Sequence, residues 1–493
     1  MAATPEFGEP FEHVTAVIST PVVEPNQPPP QRPSTPTRGT LGLALLWLVV
    51  AVEMANAIWS SAIGSGAGSP KEFPLGWVGI AIIGVAGVGV AAFVLIRGHL
   101  TNDQAIWSLA VLAALVAPAV GALANTGLAR TPNVVVTSPP VAISLALGGL
   151  GLALGLSDAE PARVRRHLFA LVSVVSWLNV AAVAARYQVG RPAFTSTIQG
   201  PDQLDAILTN PFSSVGRLSG LFGLPDLLGV TMAVALAFQV RYLAHLASTG
   251  RRWTAALLAV VGALPTAGLL WFSYSRWSLA AVVVGLLIAL LPWQRFRDGW
   301  PPVLLLAGVV VVMAVPAAIG IWSGIGTTER QTLWREVYQQ FQTSPVFGLG
   351  STSTTAGLPN AENQLVESAG QAGWFGIASV LVLVLAAAYA AWRSRRVDGK
   401  AGVAVVTTGA VVMGFAVLLP AAADRALPLG LVVLIAVIAS SLGLLADPNP
   451  AGGGELAPEE LSAGDADAGW SARGVLVTAA VVLIAAAIIA LVL

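Results

Sequence analysis

Long apolar runs separated by short polar segments dominate the chain. Each run approaches the length of about 20 residues that a helix needs to cross a bilayer, because hydrocarbon offers backbone amides no partner outside their own helix. The pattern predicts an all-α, polytopic transmembrane bundle of about 12–13 spans, a count that depends most on the short fourth run and the last one. The runs lie near residues 41–63, 75–97, 104–125, 140–156, 166–186, 219–246, 253–272, 277–294, 301–323, 373–392, 403–422, 427–446 and 474–493.

Two segments lack an apolar period. Residues 1–39 hold nine prolines and predict a disordered, Pro-rich cytoplasmic tail. The tail is too long and polar at its start for a secretory signal, so we expect the first span to remain as an anchor. Residues 447–472, rich in Gly, Ala, Pro and acid, predict a flexible cytoplasmic linker. The bundle is therefore assigned to residues 40–446, and a C-terminal transmembrane helix to residues 473–493.

The composition agrees with a chain that lipid solvates. Hydrophobic residues make up 56% of the sequence and charged residues 10%, against roughly 25% charged in a soluble domain. The formal net charge of zero gives no sign of a nucleic-acid partner. Cysteine is absent, which excludes disulfides, thiolate nucleophiles and Cys metal sites, and the four histidines fall in the tail or in predicted inner segments. We therefore expect neither a metal nor a cofactor.

The distribution of basic residues sets the orientation, because Lys and Arg concentrate in short cytoplasmic loops. With the amino terminus inside, sixteen of the 25 basic residues fall on the inner side. Arginine outnumbers lysine 23 to 2 amid abundant Ala, Gly and Val, a composition typical of a GC-rich bacterial genome. We therefore predict a multi-pass protein of a bacterial cytoplasmic membrane. The basic residues on the outer side are Lys71, Arg130, Arg186, Arg191, Arg217, Arg276, Arg330, Arg335 and Arg425.

Two long outer loops, 187–218 and 324–372, are the expected location of function. In the second, Thr328 and Gln331 form a capping-box pattern that predicts the start of an amphipathic helix ending at Ser344 and Pro345. We expect this helix to lie along the membrane surface or to fold back over the bundle. Its apolar face comprises Leu333, Trp334, Val337, Tyr338 and Phe341, and its polar face Glu329, Arg330, Arg335, Glu336, Gln339 and Gln340.

The outer arginines are the first candidates for chemistry. Arg217 precedes the sixth span, and Arg276 ends the turn that begins at Ser273. The planar guanidinium suits phosphate oxygens, so arginines on the face that the positive-inside bias disfavours are what a lipid diphosphate site would require. The alternative is that each arginine anchors a helix end at the headgroups or pairs with a nearby acid.

The second candidate is Glu362. Asn360 is expected to cap a short helix running to Gly370, with Glu362 in its first turn. A helix dipole keeps such a carboxylate ionised, which favours a general base that accepts a proton from a hydroxyl. The alternative is that the acid merely stabilises the helix.

Four short motifs follow one another between about residues 215 and 380, and all fall on the predicted outer side. The first is an arginine and glycine segment followed by a Pro-Asp pair: Arg217-Leu218-Ser219-Gly220-Leu221-Phe222-Gly223, then Pro225-Asp226. The second is Ser273-Tyr274-Ser275-Arg276. The third closes the Trp334 helix and reads Ser344-Pro345-Val346-Phe347-Gly348-Leu349-Gly350. The fourth is Glu362-Asn363-Gln364-Leu365, followed by Gly370, Gly373 and Gly376.

In this order the motifs resemble those of the O-antigen ligase and O-antigen polymerase superfamily of bacterial membrane glycosyltransferases. The family tends to show an arginine, a glycine and a Pro-Asn pair, then Ser-x-Ser-Arg, then Pro-x-x-Gly-x-Gly. Its ligases usually have His-Asn before a glycine-bearing helix. This chain departs from the pattern at Asp226 and at Glu362, which stands in the place of the ligase histidine.

The resemblance implies a metal-independent, inverting transferase in cell-envelope polysaccharide assembly. The donor would be a glycan on a polyprenyl diphosphate, transferred outside the membrane to the hydroxyl of a glycan or glycolipid acceptor. Arg217, Arg276 and Glu362 would be catalytic, with the arginines holding the diphosphate and Glu362 acting as the base. The departure at Glu362 leaves open both the choice between ligase and polymerase and the identity of the base. Substrate-binding residues would be Arg191, Arg330, Trp334, Arg335 and Asn363.

Two functions from other classes stay open. A transporter or flippase of lipid-linked or amphipathic solutes should place polar groups within the membrane on broken helices. Glu53 and Asn56 in the first span are residues of that kind, although a hydrogen bond within the bundle explains them equally well. The third interpretation is a non-catalytic scaffold for envelope assembly.

Overall fold

A computed structural model of the chain describes residues 39–63, 76–97, 100–124, 139–189, 217–222, 225–291, 308, 311–313, 329–348, 363–394, 400–415, 418 and 427–446. These residues form helices, turns and connecting segments, without a β-sheet. In chain order the helices are α1 Thr40–Ile63, α2 Gly76–Arg97, α3 Asn102–Ala124, α4 Pro139–Ser157, α5 Pro161–Val189, α6 Pro225–Ser248, α7 Arg252–Phe272, α8 Arg276–Leu290, α9 Glu329–Thr343, α10 Gln364–Ser394, α11 Lys400–Phe415 and α12 Leu429–Ala446.

The predicted all-α, polytopic membrane bundle is confirmed. Among the described residues, α1–α7 and α10 are long and apolar enough to cross a membrane, and α8, α11 and α12 are shorter apolar helices. Each coincides with one of the predicted spans. The predicted span at 301–323, apart from positions 308 and 311–313, lies outside the described residues, as do the tail to residue 38, the linker and the C-terminal helix.

The two short apolar helices α11 and α12 lie in the interior. All residues from 401 to 414 and from 429 to 442 are buried, so neither helix presents a lipid-facing stripe. A helix that is apolar all round belongs in such a position. The peripheral helices differ, because large apolar side chains of α2, α7 and α8 are exposed, as in Ile96, Leu264 and Leu290. Lipid covers surfaces of this kind.

Glycine permits the closest helix contacts. A Cβ on Gly87 of α2 would collide with the Leu147 carbonyl of α4, and one on Gly151 of α4 would collide with the Gly87 carbonyl. Small residues drive packing in membranes, because lipid tails leave little hydrophobic gain between helices and close backbone contact supplies the dispersion energy. α4 accordingly packs against α1, α2 and α3.

The predicted amphipathic helix is confirmed as α9, which ends before Ser344 and Pro345 as expected. It folds over the first turns of α10, one of its two expected placements. Trp334 and Val337 are buried, and a Cβ on Gly370 would lie 2.7 Å from the Val337 side chain. The side chains of the predicted capping box lie outside the described residues.

Candidate functional site

Arg217 is fixed to the turn between α7 and α8. Its Nε donates to the carbonyl oxygen of Ser273 at 3.1 Å, and its Nη2 to Asp226 Oδ1 at 2.6 Å. The neighbouring Leu218 amide donates to the Phe272 carbonyl at 2.9 Å. The Arg217 and Asp226 side chains are each about one-third exposed (31% and 32%), so a ligand can reach the pair. Two motifs that lie 56 residues apart are thereby joined.

The Ser273–Arg276 turn is rigid for local reasons. Tyr274 has a left-handed backbone (φ 50°), and the buried Ser273 hydroxyl accepts the Ser275 amide at 3.3 Å. The Ser275 and Ser278 hydroxyls share a hydrogen bond of 2.7 Å. Gly229 of α6 lets the turn approach closely, because a Cβ there would lie 2.5 Å from the Ser275 Cβ. The serine-rich sequence thus satisfies the polar groups of a buried turn.

Arg276 is the first residue of α8 and is exposed. In the described part of the chain it has no ion pair, in contrast to Arg217. The next residue, Trp277, stacks flat on Phe415 of α11, with ring centroids 3.7 Å apart and an interplanar angle of 0°. The structure therefore presents an exposed guanidinium beside an aromatic pair, on the same turn that holds Arg217.

Asn363 connects this region to the fourth motif. Its Nδ2 donates to the Gly414 carbonyl at 2.7 Å, and Gly414 directly precedes Phe415. Its Oδ1 accepts the amides of Leu365 and Val366 at 2.9 and 3.1 Å, so Asn363 is the cap of α10. The expected cap, Asn360, lies outside the described residues, and the helix starts three residues later than the cap pattern predicted.

Only some of the other predicted site residues belong to the part of the chain that the structure describes. Glu362 and Arg191 lie outside the described residues, as does the side chain of Arg330 on α9. Arg335 on the same helix is half-buried, and Trp334 is 6% exposed within the contact between α9 and the bundle. The structure thus brings together Arg217, the turn leading to Arg276, and Asn363. The binding roles of the α9 residues stay predictions.

The third and fourth motifs hold each other in place. α10 breaks at Gly373 (φ 62°, ψ −146°), and beyond the break the Trp374 and Phe375 amides donate to the carbonyls of Pro345 and Val346 at 2.8 and 3.3 Å. The break frees amides that an unbroken helix would bond internally, and the 345–348 turn accepts them. A Cβ on Gly373 would lie 2.5 Å from the Pro345 oxygen, so the close approach requires glycine.

A polar face on the first turns of α10 was missed by sequence reasoning. The acid in the first turn is Glu367, which is 4% exposed and accepts Gln371 Nε2 at 2.8 Å. Gln364 Nε2 donates to Ser368 Oγ at 3.2 Å, and Gln364 Oε1 accepts the Leu418 amide at 2.8 Å. The signal was present in the sequence, because these polar residues recur at helical spacing in an otherwise apolar segment.

A small cavity of about 10 Å³ lies between this polar face and α3. Gln364, Ser368 and Gln371 line one side, and Ala114 and Pro118 line the other. The Ala114 carbonyl loses its intrahelical partner, because residue 118 is a proline without an N–H. This volume is at the lower limit for one water molecule, and the polar lining suits one.

Glu53 forms a hydrogen bond within the bundle, which was one of the two explanations for an acid in the first span. Its Oε1 accepts the Leu429 amide at 3.1 Å, so the carboxyl lies at the first turn of the interior helix α12. Within the described residues no group of three His, Cys, Asp or Glu side chains is arranged to hold a metal ion.

The fold and these contacts define the class: a multi-pass α-helical membrane protein with polar junctions at helix ends and at one broken helix. Comparison of the chain with known protein families and with curated proteins finds no match.

Proposed function

We propose that this chain is a membrane glycosyltransferase, a ligase or polymerase that transfers a polyprenyl-diphosphate-linked glycan to an acceptor hydroxyl. The transfer would occur on the outer face of a bacterial cytoplasmic membrane, in the assembly of an envelope polysaccharide. The supporting observation is that contacts link the motifs. Arg217 bonds the Ser273 turn, Trp277 after Arg276 stacks on Phe415, and Gly414 bonds Asn363.

The proposed reaction uses two arginines and a carboxylate. The acceptor oxygen attacks the anomeric carbon of the donor sugar, the carbon–oxygen bond to the diphosphate breaks, and the configuration inverts. Arg217 and Arg276 stabilise the charge that develops on the diphosphate. The hydroxyl proton passes to a base, for which Glu362 next to Asn363 is the proposed carboxylate. The bonds, charge and proton of this reaction are accounted for without a metal or a cofactor.

The ion pair with Asp226 would determine which N–H groups of Arg217 can bind the donor diphosphate. A guanidinium has five N–H donors, and the contacts with Ser273 and Asp226 engage two of its three nitrogens. The diphosphate would therefore bind the remaining face of Arg217 while Asp226 keeps the fork oriented. The nearby exposed Arg276 supplies the second positive charge.

A transfer assay tests the proposal. The full-length protein in nanodiscs receives a polyprenyl diphosphate glycan and candidate acceptors, and product is compared among wild type, Arg276→Ala and Glu362→Gln. We expect each variant to lose at least about tenfold in rate, in line with general acid–base and charge-stabilising groups. Arg252→Ala is the matched control, because Arg252 also begins a helix, is exposed and precedes a tryptophan.

The outcomes are distinct. Full activity of Glu362→Gln would show that another group is the base. Full activity of Arg276→Ala, or an equal loss in Arg252→Ala, would overturn the motif assignment. If a reagent on the cytoplasmic side labels a cysteine placed at residue 350, the predicted orientation is wrong.

One observation favours a second function, transport of a lipid-linked or amphipathic solute. The break in α10 at Gly373, together with buried Gln364, Glu367 and Gln371, is a feature that transporters use for binding. Flux of a fluorescent lipid-linked oligosaccharide across proteoliposomes, abolished by Glu367→Gln without loss of folding, would support this function over transfer.

A further inference from the structure

Four large apolar side chains are exposed together where the turn after α9 meets the break in α10. They are between 37% and 60% exposed and form what we term the apolar patch: Val346, Phe347, Trp374 and Phe375. The hydrogen bonds from the amides beyond the break to the Pro345 and Val346 carbonyls place the two pairs side by side. Contiguous exposed apolar surface of this kind marks a place that meets another molecule or a membrane.

The patch is part of a rigid junction. The Phe341 ring of α9 packs edge-on against the Trp374 ring, with centroids 5.4 Å apart and an interplanar angle of 80°. In the turn, the Gly348 amide donates to the Ser344 carbonyl at 2.9 Å. Gly348 has a left-handed backbone (φ 66°), and a Cβ there would lie 2.4 Å from the Ala372 amide nitrogen, so the turn fits closely against α10. The patch is therefore exposed in a fixed position.

The patch continues the lipid-facing side of α10, a helix that packs against α3, α9, α11 and α12. The exposed residues beyond its break all fall within a sector of roughly 100° around the helix axis, at about 3.6 residues per turn. A narrow exposed stripe on a spanning helix is the side that lipid covers. From one end to the other, the stripe consists of Trp374, Phe375, Ala378, Val382, Tyr389 and Arg393.

The length of this stripe matches the thickness of a membrane. From Trp374 to Arg393 the helix rises about 29 Å, and the hydrocarbon core of a bilayer is about 30 Å thick. Arg393 pairs with Asp103 of α3 at 3.0 Å. At the other end of α3, a Cβ on Gly121 would lie 2.7 Å from the Phe347 carbonyl oxygen. Gly121 is about 27 Å from Asp103 along the helix, so both helices place the ion pair and the patch at opposite boundaries of the hydrocarbon.

The chemistry of the two ends also agrees with two membrane boundaries. At one end the Arg393 guanidinium donates to the Tyr389 hydroxyl at 3.5 Å, and at the other Trp374 is the most exposed member of the patch. Tyr and Trp are enriched at both membrane–water interfaces, and Arg extends to the headgroups. The indole nitrogen is the only polar side-chain atom of the four patch residues, whereas a site for a glycan would place polar groups around its aromatic rings.

We propose that the apolar patch binds the bilayer at the boundary opposite Arg393, with Val346 and Phe347 inserted between lipids and Trp374 at the level of the headgroups. The partner is lipid, and the patch anchors the turn that closes α9 to the membrane surface. In the predicted orientation this boundary is the outer one. The proposal is independent of the transferase function, since none of the four residues is assigned to catalysis.

Spin labelling of the full-length protein in phosphatidylcholine vesicles tests the proposal. Because the chain has no cysteine, Phe347→Cys carries a single label. Its depth is measured as the ratio of its collision rates with oxygen, which concentrates in the bilayer, and with a nickel chelate, which stays in water. The two controls are Gln339→Cys, at an exposed polar position of α9, and Leu264→Cys, at an exposed apolar position in the middle of α7.

We expect the ratio at residue 347 to be severalfold above that at residue 339 and below that at residue 264. A ratio equal to that at residue 339 would place the patch in water, open to a soluble or glycan partner, and would overturn the proposal. A ratio equal to that at residue 264 would place it deep in the bilayer and would overturn the boundary position. Val346→Cys provides a second label site should Phe347→Cys fail to give monodisperse protein.

Discussion

The side-chain amide of Asn363 donates to the carbonyl oxygen of Gly414 at 2.7 Å, and its carbonyl oxygen caps α10. One buried side chain therefore starts one helix and holds the end of another. Because Phe415 follows Gly414 and stacks on Trp277, Asn363 also fixes the position of the α8 start, where Arg276 lies.

Asn363→Ala should destabilise the bundle by about 1–3 kcal/mol, because it removes a helix cap and leaves a buried carbonyl without its donor. Asn363→Asp should lose at least as much, because its ionised carboxylate, although it can still cap α10, would be buried and would face the Gly414 carbonyl oxygen without a proton to donate. Thermal unfolding in detergent measures both. Equal stability of Asn363→Ala and wild type would contradict the cap assignment.

Asp226→Asn should strengthen binding of a short-chain polyprenyl diphosphate by a few fold, up to about fivefold. The substitution removes a negative charge 2.6 Å from Arg217, and exposed ion pairs are worth about 0.2–1 kcal/mol. Isothermal titration calorimetry measures the affinity. Asp103→Asn, which breaks the ion pair of Asp103 with Arg393, is the matched control and should leave the affinity unchanged. A weaker affinity in Asp226→Asn would show that Asp226 orients Arg217 more than it competes with the ligand.

Gly373→Ala should cost about 1–3 kcal/mol of stability, because the residue has φ 62° and the added Cβ would lie 2.5 Å from the Pro345 oxygen. Gly89→Ala on α2 is the control, since a Cβ there meets nothing within 4 Å. The two unfolding temperatures are compared in the same detergent. If both variants unfold at the wild-type temperature, the break in α10 does not hold the Pro345 turn.

Glu367→Leu should destabilise the bundle by about 1–3 kcal/mol, since Gln371 Nε2 loses an acceptor in a buried position. Glu367→Gln should lose less, because an amide oxygen can still accept. A double-mutant cycle with Gln371→Leu measures the interaction between the two side chains. Purely additive losses would mean that the hydrogen bond contributes nothing to stability.

The extent of the helices could be predicted from the sequence, because the bilayer imposes one simple requirement. Backbone amides in hydrocarbon must bond within their own helix, so hydropathy alone located α1–α8 and α10–α12. The amphipathic α9 followed from helical periodicity in the same way. The apolar length of a span and the periodicity of a helix depend only on residues within a few helical turns of one another. A single sequence contains all of that information.

The site was predictable only in part. The motifs pointed to Arg217 and the Ser273 turn, but the bond that joins them depends on how α6, α7 and α8 pack. The cap at Asn363 was misplaced to Asn360, because several Asn and Glu residues lie close together and only the contact with Gly414 selects one. The polar face of Gln364, Glu367 and Gln371 was not predicted, because the side of α10 that faces the interior depends on how the bundle packs.

The sequence alone therefore determined that this is a helical membrane protein, where its spans lie, and which residues are unusual for their place. Only the tertiary structure decided which of them meet. Asn363 with Gly414 and Gly373 with Pro345 are contacts between distant segments, selected by backbone approach, helix ends and the small volume of glycine. Those quantities depend on how the whole bundle packs, and no local pattern in one sequence contains them.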